Sequence, residues 1–421
     1  MTTQVETLEP PITSVGVIGW LRKNLFNSWF NSILTIVLLI VLYNVVSQLI
    51  VWMFTAARWE VIAVNLRLFM TGPFPPDQVW RVWLVLVLVS TMMGLSAGAW
   101  GGTMRTFGTW LAAGFATAIV ADLVAEGVQP LTNFLSRLTS IEPGRFWISL
   151  PSILWLVVNL VMLAAGFAVA RGRKTWGGKL VLAWFASFVI TVVLLQGFGT
   201  DTVLPEVGTN KWGGLLLTFM LAVVSIVLSF PLGVLLALGR RSKMPAIKAF
   251  CIFYIEVVRG VPLVTVLFMT QIMLPLFLPG EFRIDNVTRA MAAFTLFTAA
   301  YMAENVRGGL QAIPGGQIEA AYALGLNNAL TTLLIVLPQA LRMVVPATVG
   351  LFISLFKDTT LATIVALLEL LGVGRSVLAQ AEFQGLTMEV YSFISVIFFV
   401  FCYAMSYASY QVEKALGVGK R

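Results

Sequence analysis

The sequence predicts an all-α, polytopic transmembrane protein with eight to ten spans. Hydrophobic residues make up 59% of its 421 positions and charged residues only 11%, whereas about a quarter of the residues in a soluble domain are charged. The mean hydropathy is +0.91, and long uncharged runs recur from residue 31 to residue 411. This apolar surface is too large for one water-soluble core, which indicates that lipid is the solvent.

The composition also argues against several classes of protein. The formal net charge is +8, but no basic run is interleaved with aromatic residues, so a nucleic-acid surface is not expected. Cys251 and Cys402 lie in apolar segments without CxxC spacing, and the chain has no histidine. We therefore expect no metal site, no disulfide and no histidine-dependent membrane enzyme.

The first 30 residues are predicted to be a cytosolic tail followed by an interfacial anchor. They lack a short apolar core with a small-residue cleavage site, so no cleaved signal peptide is expected. Residues 1–14 are predicted to be disordered. Trp20, Arg22 and Lys23 have the aromatic and basic character of an anchor before the first span.

Ten segments have about the 20 mostly apolar residues that a span requires. In chain order they are 31–54, 82–100, 107–125, 147–170, 180–198, 213–238, 249–278, 289–306, 339–356 and 390–411. The second and third are rich in glycine and small residues, which is typical of close helix packing. If these two form a hairpin that does not cross the membrane, eight spans remain.

The basic residues predict the orientation of the spans, because short cytoplasmic loops collect Lys and Arg. With both termini in the cytoplasm, the inside segments 171–179, 239–248 and 413–421 are net positive. The opposing loops 199–212 and 357–389 are net negative. A hairpin formed by the second and third segments would enter and leave on the same side of the membrane, so eight and ten spans give the same orientation for the others.

In this orientation the stretch "IPGGQIEAAYALGLNNALTTLLIVLP" faces the cytoplasm. Pro314 suits a helix start, Gly325 a left-handed stop, and Asn327 or Asn328 a cap for the next turn. We therefore predict two short helices joined at a glycine, the second ended by Pro338. Such an elbow either lies on the membrane surface without a partner or docks against another protein. Docking is favoured by the small alanine side chains, which let a partner's groove approach closely, and by Glu319, which can pair with a basic residue.

Seven positions in this stretch carry a resemblance to a known family. They match the E-A-A-x3-G-x9-I-x-L-P loop of bacterial ABC importer permeases, and they are Glu319, Ala320, Ala321, Gly325, Ile335, Leu337 and Pro338. "YIEVVRGVPLVTVLF", "AYMAENVRGGLQAIPGGQIEAAYALGL" and "FISLFKDTTLATI" also resemble the polar and general L-amino-acid branch, which includes the histidine and glutamine permeases. The resemblance covers about residues 212–421 and is looser before them. Gly315, Tyr322 and Val261 depart from the branch pattern.

The resemblance implies a domain organisation and a set of partners. Residues 212–421 are expected to form a type I ABC importer permease core of five helices, with a coupling loop at 307–338. Residues 31–211 are expected to be an extension with three to five transmembrane helices. Implied partners are an ABC ATPase dimer, a second permease subunit, identical or homologous, a periplasmic or surface substrate-binding protein, an amino-acid substrate and membrane lipid, in the bacterial inner membrane.

The chain itself has no phosphate-binding loop for ATP. Its Gly-Lys pairs at 178–179 and 419–420 lack the G-x-x-x-x-G-K-[ST] pattern. We therefore expect a non-enzymatic transport subunit without a cofactor, whose partner binds and hydrolyses ATP.

Charged residues inside predicted spans are candidates for the translocation pathway, because charge in a membrane is costly. Glu256 and Arg259 lie three apart, close to a predicted helix break at Gly260 and Pro262. Glu304 and Arg307 are also three residues apart. For both pairs, a local ion pair that satisfies only itself is the alternative.

Four further polar residues are pathway candidates. Gln271 suits a substrate contact or a helix-helix hydrogen bond. Lys357, Asp358 and Thr359 close a span, with an ordinary helix-end pair as the alternative. The following "LATIVALLELLGVG" is short for a span and is predicted to form a gate helix.

Two other functions stay open. One is an ABC permease for another small polar solute, such as an opine or a quaternary amine. The other is an ion-coupled secondary transporter, for which the clear internal repeat expected of that class is not visible. Association with an ATPase separates the two.

Overall fold

The computed structural model describes residues 16–125, 152–199, 204–279 and 284–416. These ranges consist of helices and their connections and contain no β-strand, so the predicted all-α class is confirmed. In chain order the α-helices are α1 Gly16–Asn24, α2 Trp29–Val51, α3 Glu60–Thr71, α4 Trp80–Trp100, α5 Gly102–Ala125, α6 Ser152–Ala170, α7 Gly177–Gln196, α8 Gly214–Arg240, α9 Pro245–Gly260, α10 Leu263–Phe268, α11 Leu274–Phe277, α12 Asn286–Gln311, α13 Gly315–Ala323, α14 Asn328–Leu330, α15 Leu337–Asp358, α16 Leu370–Leu378 and α17 Thr387–Leu416.

Three π-helical turns lengthen or join these helices. They extend α2 through Trp52–Ala56, join α10 to α11 across Met269–Met273, and join α14 to α15 across Thr331–Val336. The second and third of these turns keep their flanking segments in one continuous helical run.

The number of helices that can cross a membrane agrees with the predicted range. Among the described residues, seven helical runs are long and apolar enough, and eight if the bent pair formed by α9 and α10–α11 counts as one span. Within the described residues, nine of the ten predicted spans each fall on one helical run, whereas 249–278 falls on the bent pair. Helices α5 and α12 take the places of the third and eighth predicted spans but are not among those eight. Arg289, Glu304 and Arg307 lower the hydropathy of α12.

The chain divides into two compact units, residues 1–61 and 62–421. In the first unit, α2 begins at Ser28, whose hydroxyl accepts the Asn31 N–H at 3.2 Å. No residue of α2 is buried by protein. A helix that is apolar on every side and covered by no protein is expected to lie in lipid. Trp20, Arg22 and Lys23 belong to α1 or its end, whereas the predicted tail at 1–14 lies outside the described residues.

In the second unit, α4 and α6 meet through glycines at backbone distance. A Cβ added to Gly94 would lie 2.1 Å from the Leu163 carbonyl oxygen, and one added to Gly98 would lie 2.6 Å from the Phe167 oxygen. Gly166 of α6 is equally close to α4, since a Cβ added to it would lie 2.6 Å from the Thr91 oxygen. This is the small-residue packing that brings transmembrane helices close together.

Replacing Gly94 with valine is expected to destabilise the second unit. The added carbons have no space against the α6 backbone, and overpacking of this kind costs about 1–3 kcal/mol. Thermal unfolding of the detergent-purified protein should show a lower midpoint. The matched control is Gly114→Val in α5, because a Cβ there would meet nothing within 4 Å. Equal midpoints for the two variants would contradict this account of the α4–α6 contact.

The turn after α3 meets the start of α8 in another backbone contact. A Cβ on Gly72 would lie 2.4 Å from the Gly213 Cα, and one on Gly214 would lie 2.3 Å from the Phe69 oxygen. Gly214 also has φ +57, which favours glycine. Its N–H donates to the Leu368 oxygen at 2.8 Å. This junction lies between the predicted extension and the predicted core. The boundary between them, at residues 211 and 212, stays a prediction.

The predicted break near Gly260 and Pro262 is confirmed. Helix α9 ends at Gly260, Val261 is extended, and the helical run from Leu263 to Phe277 departs at 108°. The residue before a proline disfavours the helical conformation, which explains the position of the break.

The prediction that Pro338 ends the second elbow helix is wrong. Residues 328–365 form one helical run, and Pro338 lies in the first turn of α15 directly after the π turn Thr331–Val336. A proline removes a backbone donor and crowds the preceding turn. The wider π turn accommodates this change, so the helix continues.

The predicted gate helix is split into two. A 3-10 helix over Thr359–Val365 ends at Ala366, which is left-handed at φ +61. Helix α16 then begins after Glu369, whose carboxylate accepts the N–H groups of Leu371 and Gly372 at 2.9 Å. A gating role for this segment stays a prediction.

Candidate functional site

The elbow, residues 314–330, contains the two short helices that the sequence predicts. Helix α13 closes with the Gly325 N–H donating to the Tyr322 oxygen at 2.9 Å and the Leu326 N–H donating to the Ala321 oxygen at 3.1 Å. This is a Schellman turn, and it places Gly325 at φ +81. The predicted left-handed stop at Gly325 is therefore confirmed.

The second half of the elbow is capped as predicted. The Asn327 side chain accepts the Leu330 N–H at 2.9 Å, which starts α14. Across the turn, the Tyr322 hydroxyl lies 3.0 Å from the Asn328 side-chain oxygen. The second of these contacts links the two helices across the turn.

The elbow presents a surface that is both apolar and open. Leu324 is 83% exposed and Leu334, in the π turn that follows, is 61% exposed. Among the seven family-motif residues, Glu319, Ala320, Gly325 and Pro338 are exposed, Ile335 and Leu337 are partly buried, and Ala321 is buried. The motif thus supplies an outer face and also residues that hold the elbow to the protein.

The elbow is anchored in a hydrophobic cluster that reaches four other helices. Ile313 before it and Ile318 within it pack with Val336 after it. The same cluster includes residues of α8, α9, α12 and α15, namely Ala237, Ile255, Met302, Ala303, Val306, Leu310 and Ala340. Interiors this closely packed transmit displacement. A force on the elbow would therefore reach all four helices.

Beside this hydrophobic cluster lies an ion cluster formed by Arg240, Glu256, Arg259, Glu304 and Arg307. Glu304 is its centre, at 2.9 Å from Arg240, 2.8 Å from Arg307 and 3.5 Å from Arg259. Glu256 pairs with Arg240 at 3.0 Å. The cluster therefore ties together the ends of α8, α9 and α12.

The geometry separates the alternatives for the two predicted pairs. Glu304 and Arg307 do form the local pair, with the Arg307 guanidinium donating to both carboxylate oxygens. Glu256 and Arg259 instead reach other helices, so a pair that satisfies only itself is not what the structure contains. Arg259 also lies over the Tyr301 ring, with 5.6 Å from its guanidinium carbon to the ring centroid.

The burial of the two carboxylates differs. The Glu304 side chain is 14% exposed, whereas that of Glu256 is 55% exposed. Glu304 alone contacts three guanidinium groups, so it holds together positive charges that would otherwise repel one another.

Gln271 forms the helix-helix hydrogen bond that was one of its two predicted roles. Its amide donates to the Asn286 backbone oxygen at 2.6 Å, and its own backbone oxygen accepts from Arg289 at 2.5 Å. The Arg289 side chain also reaches that of Asn286. These bonds bind the π turn between α10 and α11 to the start of α12.

Lys357, Asp358 and Thr359 lie at the end of α15. Lys357 is exposed, Asp358 is partly buried, and Thr359 is buried with its hydroxyl donating to the Phe356 oxygen at 2.7 Å. The contacts described for these residues and for Gln271 include no member of the ion cluster. Their role in a pathway stays a prediction.

A cavity of about 360 Å³ lies at the opposite end of α12 from the ion cluster, lined in part by Trp212, Asp285 and Leu368. Asn286 and Glu304 are separated by about 27 Å along the helix axis. Burial favours the neutral acid of Asp285, but hydrogen bonds from Thr209, Thr288 and Val287 outweigh it and hold its pKa below the usual value. Asp285 is thus an ionised helix cap at this end.

Comparison with known proteins gives extensive matches. The family model of the binding-protein-dependent transport system inner membrane component matches residues 229–416. The chain is 35% identical to the inner membrane amino-acid ABC transporter permease protein YhdY of Escherichia coli strain K12, over 95% of this chain and 93% of that protein. It is 34% identical to the glutamate/glutamine/aspartate/asparagine transport system permease protein BztC of Rhodobacter capsulatus, over 98% and 97%.

A shorter relative matches only the C-terminal half. The probable glutamine ABC transporter permease protein GlnP of Bacillus subtilis is 35% identical over 48% of this chain and 91% of its own length. Nearly all of that shorter protein thus corresponds to about half of the present chain.

The helical membrane fold and these matches define the class, which is the permease subunit of an ABC transporter. The chain belongs to the family of binding-protein-dependent transport system inner membrane components. The predicted resemblance to amino-acid ABC importer permeases is confirmed. The chain is a multi-pass inner-membrane protein. Permeases of this family work as transport subunits with a separate ATPase and a binding protein.

Sequence reasoning missed Arg240, which contacts both carboxylates of the ion cluster. The basic run that contains it was interpreted only as a cytoplasmic loop. Its position two residues after the predicted span 213–238, in a chain with two glutamates inside predicted spans, is a signal that would have found it.

Proposed function

We propose that this chain forms the translocation pathway of an ATP-driven importer for polar or general L-amino acids. The elbow docks in a groove of one ATPase subunit, and the complex contains two permease subunits and an ATPase dimer. A substrate-binding protein delivers the amino acid on the outer side. ATP binding and hydrolysis then favour one of the inward-facing and outward-facing states through differential affinity.

The single observation that carries this proposal is the exposed elbow anchored in the shared hydrophobic cluster. Leu324 is open to a partner, while Ile313, Ile318 and Val336 hold the elbow to helices of the core. An elbow arranged in this way can be displaced by a partner bound at its exposed face and can transmit the displacement to the core helices through its buried face. The named substrates of YhdY and BztC support amino acids as cargo.

The proposed orientation places both termini and the elbow in the cytoplasm. The ion cluster then lies at the inner ends of α8 and α12, and the cavity beside Asp285 lies at the outer end of α12. The net positive segments 171–179 and 239–248 support this orientation. Residues 212–421 form the permease core, and residues 31–211 form the extension.

The test is uptake into vesicles that contain the permease, its ATPase and its binding protein. Labelled glutamate, glutamine, aspartate and asparagine are offered with ATP, and opines and quaternary amines are added as competitors. We expect ATP-dependent uptake of at least one amino acid. If no amino acid is taken up, while a labelled opine or quaternary amine offered in a parallel assay is taken up with ATP, the substrate class would be replaced.

A second measurement addresses energy coupling. The permease purified alone and reconstituted without the ATPase is expected to show no uptake under an ion gradient. Gradient-driven uptake by the permease alone would overturn the proposal and favour a secondary transporter.

A further inference from the structure

Helix α9 runs across the end of α8 and does not return alongside it. A Cβ on Gly239 would lie 2.5 Å from the Cys251 sulfur, and Arg240 pairs with Glu256 at 3.0 Å. Glu256 is about 16 Å along the helix from Pro245. In an antiparallel hairpin it would therefore lie far from Arg240. The 108° bend after Gly260 then turns the chain into the next run.

One side of α9 is apolar and exposed. Phe250 is 65% exposed, Phe253 68% and Val257 46%. At 100° per residue these three side chains fall within about 60° of one another. Cys251 and Ile255, on a different side, are buried against the rest of the protein.

Three cations lie just before α9 or in its first turn, and the one within the helix, Lys248, is on the side away from the three apolar side chains. Arg241, Lys243 and Lys248 are exposed, and the sequence has no acidic residue between 239 and 255. In the described part of the chain none of the three forms a salt bridge, and Arg241 makes only a long contact of 3.4 Å to the Leu310 oxygen. Their charge is therefore available to an anion.

We propose that α9 is an interfacial helix that binds anionic phospholipid headgroups at the inner leaflet, and that this lipid regulates transport. Phe250, Phe253 and Val257 enter the acyl boundary, while Lys243 and Lys248 contact lipid phosphates. A helix with an apolar face on one side, a cation on the other and further cations just before it suits this location. The inference rests on the inward orientation proposed above.

The same helix gives the lipid a route to the transport machinery. Glu256 and Arg259, near the end of α9, join the ion cluster around Glu304, and Ile255 joins the hydrophobic cluster that anchors the elbow. Headgroups that hold α9 at the interface therefore favour the arrangement in which these contacts form. Without anionic lipid, α9 is held less firmly and coupling should weaken.

The functional test compares the full complex in vesicles of phosphatidylcholine alone and of phosphatidylcholine with phosphatidylglycerol. We expect several-fold faster ATP-driven uptake with phosphatidylglycerol. The double variant Lys243→Gln and Lys248→Gln should need a several-fold higher phosphatidylglycerol fraction for half-maximal uptake, because each cation contributes to headgroup attraction. Lys179→Gln, an exposed cation at the start of α7, is the matched control and should behave as wild type.

A free phosphate source is separated by adding inorganic phosphate to vesicles of phosphatidylcholine alone. Lipid binding predicts no stimulation there. Stimulation by inorganic phosphate, or an equal phosphatidylglycerol response in wild type and the double variant, would overturn the proposal.

Location is tested independently of uptake. A nitroxide on Phe253→Cys, in a protein with Cys251→Ser and Cys402→Ser, should collide more with dissolved oxygen than with an aqueous relaxation agent. Greater contact with the aqueous agent, or shielding from both by a protein partner, would overturn the interfacial location. This readout needs no transport, so it stays informative even if the proposed substrate class fails.

Discussion

Replacing Glu304 with glutamine is expected to reduce ATP-driven uptake by about tenfold or more. The substitution keeps the size of the side chain and removes the negative charge that Arg240, Arg259 and Arg307 share. Removing one partner of a buried ion pair costs about 3–5 kcal/mol. The cost here should fall below that range, because the Glu304 side chain is 14% exposed and those of the arginines are 25–35% exposed. Uptake and ATP hydrolysis in reconstituted vesicles measure the effect.

Glu256→Gln is the matched control for this prediction. Its side chain is 55% exposed and contacts only Arg240 among the described ion pairs. The loss of an exposed pair costs about 0.2–1 kcal/mol, so uptake should fall far less than in Glu304→Gln. If the Glu256 variant lost transport while the Glu304 variant kept it, Glu304 would not be the centre of the cluster in the working transporter.

The second large effect is expected from replacing Gly325 with valine. Its φ of +81 lies in the left-handed region, where a residue with a Cβ pays about 1–2 kcal/mol, and a β-branched side chain is the least tolerated. A Cβ there would meet nothing within 4 Å, so the strain is in the backbone and not in packing. We expect the Schellman turn to distort, the ATPase to bind weakly, and uptake to be lost while the spans stay folded.

Two variants test whether a loss of uptake comes from the left-handed backbone conformation at Gly325 and not from adding a side chain to the elbow. Gly325→Asn should retain much of the coupling, because asparagine tolerates the left-handed conformation. Gly316→Ala, in the first turn of α13, should be neutral, since that position has neither a positive φ nor a close neighbour. ATPase pull-down and uptake are measured on equal amounts of purified permease. Wild-type uptake in Gly325→Val would show that this turn does not transmit the coupling.

The elbow could be predicted in detail because its structure depends on nearby residues. Gly325 supplies the left-handed stop and Asn327 the cap, and both act within a few positions along the chain. Pro338 was misread because its effect depends on the preceding turn. A π turn can absorb a proline that would otherwise end a helix, and the sequence carries no simple sign of it.

The ion cluster could be predicted only in part. Glu256 and Arg259 were identified as candidates from their cost in a membrane. Their partners could not be assigned, because Arg240 and Glu304 reach them through the crossing of α8, α9 and α12. Likewise, the glycine-rich second span suggested close packing, but the pairing of Gly94 with the α6 backbone is a property of the folded chain.

The contact between Gly72 and Gly213 limits how this protein can be recombined with shorter relatives. A chimera that carries the N-terminal helices on another permease would need glycine on both sides of that seam, since a single methyl group would press on backbone. Conversely, a version trimmed to the C-terminal half would uncover part of the hydrophobic cluster that Leu217 and Trp212 now share with Phe74. Gene fusions at residue 212 should therefore be accompanied by redesign of that newly exposed surface.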